Sequence, residues 1–332
     1  MVTHFLSLMY EGLVRIKNDL YDWGMVDRFK IANKVISVGN LTSGGTGKTP
    51  LIELILTYLE EKQIQAVVIS RNYKAEAQVA QEVIVKSGDS ARYFGDEPVM
   101  LAKKFPNCPV FIGPKKYWTA YLASKAYPLS TLLIDDGFQH RQLSRDLEIV
   151  CLDATQPLHE YEFIPFGKAR DSFSELHRSD VIVLNKVNRA DESHLKYLRS
   201  KIPKDKLVVE TEAETVWPPQ ISLIKDKTIV LGFCGIGQPK NFKSEILKIE
   251  KAHLKDFLIF EDHHAYEQKD INQINSKAKS IGAEFILTTE KDFTKLWNFN
   301  FDIPLLVSEY KLKPTVGAAE FYASLDSCLH HS

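Results

Sequence analysis

Thr42-Ser43-Gly44-Gly45-Thr46-Gly47-Lys48-Thr49 decides the fold of this chain. The stretch follows a short apolar run, Val35-Ile36-Ser37-Val38, and precedes a helical pattern that begins near Leu51. Strand, glycine-rich turn and helix in that order make a loop whose backbone N–H groups can close around a phosphate chain. In such a loop Lys48 reaches the β/γ-phosphates and the Thr49 hydroxyl ligates Mg²⁺. The strict pattern G-x-x-x-x-G-K-[ST] has Gly where this chain has Thr42. An ordinary strand–helix loop needs one turn glycine, however, not three glycines and a Lys-Thr pair. The stretch therefore implies binding of a nucleoside triphosphate.

Outward from this loop, short β-branched runs alternate with helical stretches. Val35–Val38, Ala66–Ser70, Val83–Val85, Val110–Ile112, Leu132–Ile134, Glu148–Leu152 and Val181–Leu184 read as strands, with helices such as Leu51–Lys62 and Glu97–Lys104 between them. Such alternation predicts an α/β fold, a P-loop NTPase-type doubly wound and mostly parallel sheet. Its ligands sit beyond the carboxyl ends of the strands. A change comes at Pro203–Gln220, with the breaker Trp217-Pro218-Pro219, and a second βα series starts near Ile221. The division expected is an amphipathic helix over 1–24, a P-loop domain over 25–205, a linker over 206–220 that includes a linking strand, and a second, smaller α/β domain over 221–332.

The chain has 332 residues, 44% hydrophobic and 26% charged, as in ordinary globular proteins. A net charge of −1 argues against a general nucleic-acid binder. Its four cysteines are scattered without a C-x-x-C pair, which suggests neither a zinc site nor a disulfide framework. No run reaches the roughly 18 apolar residues of a membrane span. At the N-terminus Phe5, Leu8, Met9, Gly12, Leu13, Ile16 and Leu20 recur at steps of three and four. That is an amphipathic helix. By pattern alone it either packs on its own domain, the better reading, or lies in a membrane interface.

Several other constellations carry chemistry. Thr131-Leu-Leu-Ile-Asp-Asp-Gly137 ends an apolar strand in two carboxylates, Asp135 and Asp136, which beside a P-loop suit Mg²⁺ and otherwise form an Asp-Gly turn. Gly95-Asp96-Glu97-Pro98 begins a helix; Asp96 reads as its cap, and a cap carboxylate can also accept a proton. Asp262-His263-His264 ends a strand of the second series, as a solvated loop or as part of a proton-accepting pair. Lys168 and Arg170 read as surface charge, although guanidinium suits phosphate. Asn185-Lys186-Val187-Asn188 lacks the Asp that reads guanine in GTPases, and so weakens a GTP reading.

Taken in order, these residues resemble the tetraacyldisaccharide 4′-kinase family. The resemblance rests on Val38-Gly-Asn-Leu-Thr-Ser-Gly-Gly-Thr-Gly-Lys-Thr-Pro50, Ser70-Arg-Asn-Tyr73, Gly95-Asp-Glu-Pro98, Asp135-Asp-Gly-Phe-Gln-His140, Arg145-Asp146, Gly235-Ile-Gly237, Asp262-His-His264 and Thr289-Glu-Lys-Asp292. Thr42 is also the family's habit. Asn72, Phe138 and Asp171 depart from its usual Gly, Leu and Glu.

The resemblance implies phosphoryl transfer from ATP, with Mg²⁺, to the 4′-hydroxyl of tetraacyldisaccharide 1-phosphate. It implies that Lys48 and the amides of Thr42–Thr49 hold the phosphates, and that Thr49, Asp135 and Asp136 hold the metal. It further implies Asp96 as the base with His263 paired to it and Asp262 adjacent, and His140 and Arg170 as phosphate contacts. Asp96 and His263 fall in different domains, so the two lobes are expected to meet over the site. A bilayer-resident substrate turns the N-terminal helix into a membrane-docking element, at the cytoplasmic face of the inner membrane, with no obligate protein partner. The competing readings are a switch or metallochaperone-type P-loop GTPase/ATPase, and a membrane-surface module with a vestigial nucleotide site.

Overall fold

The computed structural model describes residues 2–71, 76–83, 90–296 and 298–330. Its strands are β1 Val35–Gly39, β2 Ala66–Ser70, β3 Gln81–Glu82, β4 Val110–Ile112, β5 Thr131–Asp135, β6 Leu147–Asp153, β7 Val181–Asn185, β8 Leu207–Val216, β9 Thr228–Cys234, β10 Ala252–Ile259, β11 Phe285–Thr289 and β12 Leu305–Val316. They form one sheet in the order β10-β9-β11-β12-β8-β7-β6-β1-β5-β2-β4-β3. Among the strands of the described residues only β3/β4 and β8/β12 pair antiparallel. Every residue of β1, β2, β5, β6 and β7 is buried. Helices cover both faces there, which is why these strands read as continuous apolar runs and not as alternating ones. The expected fold class holds. Of the expected strand Val83–Val85, residues Ile84 and Val85 lie outside the described residues, as do Asn72 and Tyr73 of the Ser70–Tyr73 motif.

The helices are α1 Val2–Asp22, α2 Lys48–Glu61, α3 Ser90–Phe94, α4 Asp96–Lys104, α5 Lys116–Ala126, α6 Glu192–Lys201, α7 Pro239–Leu247, α8 Gln268–Ile281, α9 Glu290–Phe293 and α10 Ala318–His330. The β1/β5 register sets Val38 opposite Asp135, so the glycine-rich loop and the Asp-Asp turn leave the sheet side by side.

The 206–220 stretch is mostly β8, which pairs with β7 on one side and β12 on the other. β12 serves both lobes. Its first residues pair parallel with β11, and Glu309–Val316 pair antiparallel with β8. Leu312, Phe321 and Leu325, from β12 and α10, share one core with Leu51, Ile52 and Ile55 of α2. β12 and α10 thus pack with the P-loop lobe, while β9–β11, α7 and α8 enclose cores of their own.

Helix α1 is turned inside out. Asn18 is 2% exposed, whereas Leu8, Leu13 and Ile16 are 55%, 62% and 59% exposed. The inward side carries polar contacts beside the rings of Tyr10 and Tyr21: Asn18 donates to Asp171 Oδ1 at 2.9 Å and Arg141 bonds the Asn18 carbonyl and Asp22, while Lys17, at the exposed edge, donates to the Gln139 carbonyl at 3.0 Å. A helix held for its own packing would bury its leucines.

Candidate active site

β1 delivers the glycine-rich loop, and its neighbours brace it. Asn40 donates to Thr46 Oγ1 at 2.8 Å, and Asn185, at the end of β7, donates to the Thr46 carbonyl at 3.1 Å. Gly47 opens α2 at φ 85°, and a Cβ there would collide with the Asn185 amide, so only glycine serves. Thr42 is buried, and its hydroxyl donates to Gln156 Oε1 at 3.1 Å. Its backbone bridges Ala169, Ser43 N–H donates to the Lys168 carbonyl, and Arg170 N–H donates to the Leu41 carbonyl. The loop carrying Arg170 is therefore laid against the start of the P-loop.

Four charged groups converge where the loop meets the Asp-Asp turn. Arg170 grips Asp136 through two hydrogen bonds of 2.8 and 2.5 Å. Lys48 Nζ lies 3.6 Å from Asp136, and Arg71 lies 3.5 Å from it. Burial pushes the Asp136 carboxyl up, but the Arg170 hydrogen bonds and the Lys48, Arg170 and Lys116 charges outweigh it and hold it well below the usual carboxylate range. Asp136 sits at φ 54°, a left-handed conformation that Asp tolerates. Asp135 is placed differently: its Oδ2 accepts from Ser70 at 2.8 Å and its carbonyl accepts from Lys116. Lys116 is fully buried, which pulls its ammonium down to about 8 against the pull of Asp135 and Asp136. His140 Nε2 lies 3.2 Å from Arg71 Nη2; burial, Lys116 and Arg71 push the imidazole down to about 3, so it is neutral and accepts.

The second cluster crosses between lobes. Asp96 is the first residue of α4, and Gly95 before it has φ 98°. His263 follows β10 at φ 63°. Its Nδ1 lies 3.0 Å from Asp96 Oδ2, and Lys291 Nζ lies 3.3 Å from its Nε2. An ammonium only donates, so Nε2 accepts and the imidazole proton on Nδ1 is donated to Asp96. Burial pushes Asp96 up, yet the His263 hydrogen bond and the Lys295 and Lys291 charges leave it lowered. Glu97 joins this cluster to the first. Burial and then the Asp135 charge push its carboxyl up, while Lys291, Lys48 and His263 pull it down.

The structure thus gathers Lys48, Asp136 and Arg170 around one point, sets Asp135 and His140 at its edge, and pairs Asp96 with His263. Asp262 stands 4.0 Å from His263 Nε2 and pairs with Lys291 at 3.3 Å. Arg170 is not surface charge, whereas Lys168 is, paired to Glu160. The Asn188 side chain is taken up by the backbone of β8. Its amide donates to the Ala213 carbonyl and its Oδ1 accepts from Ala213 N–H. His264 bonds Asp270 at 3.0 Å and belongs to the start of α8. Phe138 is core, under the Arg178 guanidinium at 3.9 Å, and Asp171 braces α1 and Gln139. The sequence reading missed Arg71, Lys116, Lys291 and Lys295 as site cations, and Glu97 as a site acid. For Lys291 the only signal was the Thr289–Asp292 motif.

The comparisons with known proteins converge. A family model described as tetraacyldisaccharide-1-P 4′-kinase matches residues 2–330. A tetraacyldisaccharide 4′-kinase of Bdellovibrio bacteriovorus is 40% identical over 311 residues, covering 91% of each chain. One of Halothermothrix orenii is 30% identical over 350 residues, covering 96% of this chain and 91% of its own. The crystal structure of an "apo" form of LpxK from Aquifex aeolicus in complex with ATP superimposes with a TM-score of 0.79 at 25% identity, covering 99% of this chain and all of that one.

Proposed function

Because the chain belongs to the tetraacyldisaccharide 4′-kinase family, we propose that the two clusters divide the work of phosphoryl transfer between a phosphate-holding half and a proton-accepting half. The chain is an ATP-dependent kinase that phosphorylates the 4′-hydroxyl of tetraacyldisaccharide 1-phosphate in lipid A biosynthesis. The switch-type GTPase or metallochaperone reading finds no support in these matches.

Lys48 and the backbone amides of Gly44, Gly45 and Gly47–Thr49 hold the β/γ-phosphates, since the Ser43 and Thr46 N–H groups are bonded to the Lys168 and Gly44 carbonyls. Arg170, kept in place by Asp136, presents its guanidinium to the same phosphates, with neutral His140 and Arg71 beside it. Thr49, Asp135 and Asp136 offer only hard oxygens, which fits Mg²⁺. Of the pair, Asp135 would be the better placed to hold the ion directly, because Arg170 bonds both oxygens of Asp136 while Ser70 bonds only one of Asp135. When bound with ATP, Mg²⁺ offsets phosphate charge. Asp96, oriented by His263, accepts the proton of the sugar hydroxyl, which is a poor nucleophile while protonated. The Asp96–His263 contact carries this reading, since it sets a general base from one lobe against an imidazole from the other.

The acceptor is a lipid, and the exposed apolar face of α1 supports peripheral docking on a membrane, at its cytoplasmic side where ATP is available. No helix among the described residues is long and apolar enough to cross a membrane.

The test is transfer of radiolabelled phosphate from ATP to the disaccharide 1-phosphate in detergent. Lys48→Ala is expected to lose nearly all transfer. Asp96→Ala and His263→Ala are expected to lower kcat by at least about 100-fold with little change in KM for ATP. A wild-type kcat in either variant would remove that residue from the proton-accepting pair.

A further inference from the structure

Lys295 follows α9 in the second lobe, and its side chain is 7% exposed. Its ammonium makes no hydrogen bond among the described residues, which is unusual for a buried cation. It lies 3.5 Å from Asp96 Oδ2 and 5.6 Å above the Tyr266 ring. The same oxygen receives the His263 Nδ1 hydrogen bond at 3.0 Å. The closest approach of each cation-bearing or imidazole partner is thus to Asp96 Oδ2, and Oδ1 takes no hydrogen bond among the described residues.

We propose that Lys295 is a positioning residue for phosphoryl transfer: it pins Asp96 Oδ2 across the lobe boundary, so that Oδ1 faces the acceptor hydroxyl as an anion. This rests on the reading of Asp96 as the base. The other charges in the cluster do not duplicate the role. Lys291 is spent on His263 Nε2 and on Asp262. Glu97 on α4 and Asp262 beyond β10 bring negative charge to the same place and oppose ionisation of Asp96, leaving His263 and Lys295 to sustain it at close range. The lysine also reports on assembly of the site, because it reaches Asp96 only when α9 stands against α4. Lys103 of α4 donates to the carbonyl of Thr294, the residue before Lys295, at 3.5 Å, which holds the two segments together.

The test compares Lys295→Met, which keeps the length and removes the charge, with Lys295→Arg, in kcat–pH profiles of the full chain. Lys295→Met is expected to move the acid limb of kcat up by about one pH unit, which lowers kcat by up to about tenfold on that limb and little at neutral pH. Its loss should shrink as pH rises, with KM for ATP within about twofold of wild type. Lys295→Arg is expected to keep the acid limb in place. A loss in Lys295→Met that is the same at every pH, or an unshifted acid limb, would overturn the proposal and make Lys295 a packing residue. In the same series Asp96→Ala tests the underlying reading separately. If Asp96→Ala is inactive while Lys295→Met is wild type, only the role of Lys295 falls. If Asp96→Ala is itself active, the base assignment falls.

Discussion

Replacing Thr42 by Gly would restore the strict Walker pattern, and the structure says that it harms the protein. Thr42 is not among the residues at positive φ, so its backbone does not call for glycine. Its side chain is fully buried, and its hydroxyl donates to buried Gln156 Oε1. Thr42→Gly removes a buried methyl, worth about 0.8 kcal/mol. It adds roughly 0.4–1 kcal/mol of chain entropy to the unfolded state. It leaves the Gln156 Oε1 without its donor, at about 1–3 kcal/mol. The sum is a loss of about 2–5 kcal/mol, read from urea unfolding followed by circular dichroism. Thr42→Ser keeps the hydroxyl and should lose only about 1 kcal/mol. Because the same segment braces the Arg170 loop, Thr42→Gly should also lower kcat. A Thr42→Gly protein as stable as wild type, or more active, would refute this account of the loop.

Two further outcomes follow from the site and its edge. Changing Leu8, Leu13 and Ile16 together to Gln should reduce sedimentation with phosphatidylglycerol-containing vesicles by at least about 100-fold, since each buried aliphatic side chain contributes roughly 1.5–3 kcal/mol. The urea midpoint should hardly move, because these side chains face outward; unchanged vesicle binding would make α1 a packing element only. Asn188→Asp recreates the guanine-reading pattern, yet the ratio of GTP- to ATP-supported transfer should stay at the wild-type value. The carboxylate cannot donate to the Ala213 carbonyl, so stability should fall by about 1–3 kcal/mol; a rise in the GTP ratio would show that position 188 does reach the base.

Much of the P-loop lobe was legible because buried parallel strands are apolar throughout, and because Lys48, Thr49 and the glycines have few other uses in that order. The Asp96–His263 contact was not legible from spacing, since 167 residues separate the two; it came from the resemblance. Lysines hid best. Lys116 and Lys295 look like surface residues in a chain with 42 basic side chains, and nothing local marks a lysine that a distant carboxylate will bury. The stripe on α1 was visible, but which side faces water depends on Asn18 and Lys17 finding Asp171 and Gln139 far along the chain. Asn188 looked like a failed base reader until β8 supplied the backbone that it binds.

The double duty of β12 bears on how the protein is made. β8 and β12 are neighbours in one sheet, yet the whole of β9–β11 is translated between them. At roughly 5–20 residues per second, β8 waits several seconds on the ribosome with one edge unpaired. Its outward positions there carry Glu210, Glu212 and Glu214, the kind of charge that keeps an open strand from recruiting another chain. Until β12 and α10 emerge, α2 also lacks Leu312, Phe321 and Leu325 from its core. The nucleotide-binding lobe therefore closes its core only after the lobe that carries His263 and Lys295 has been synthesised, so a nascent chain completes that core only once β12 and α10 have emerged.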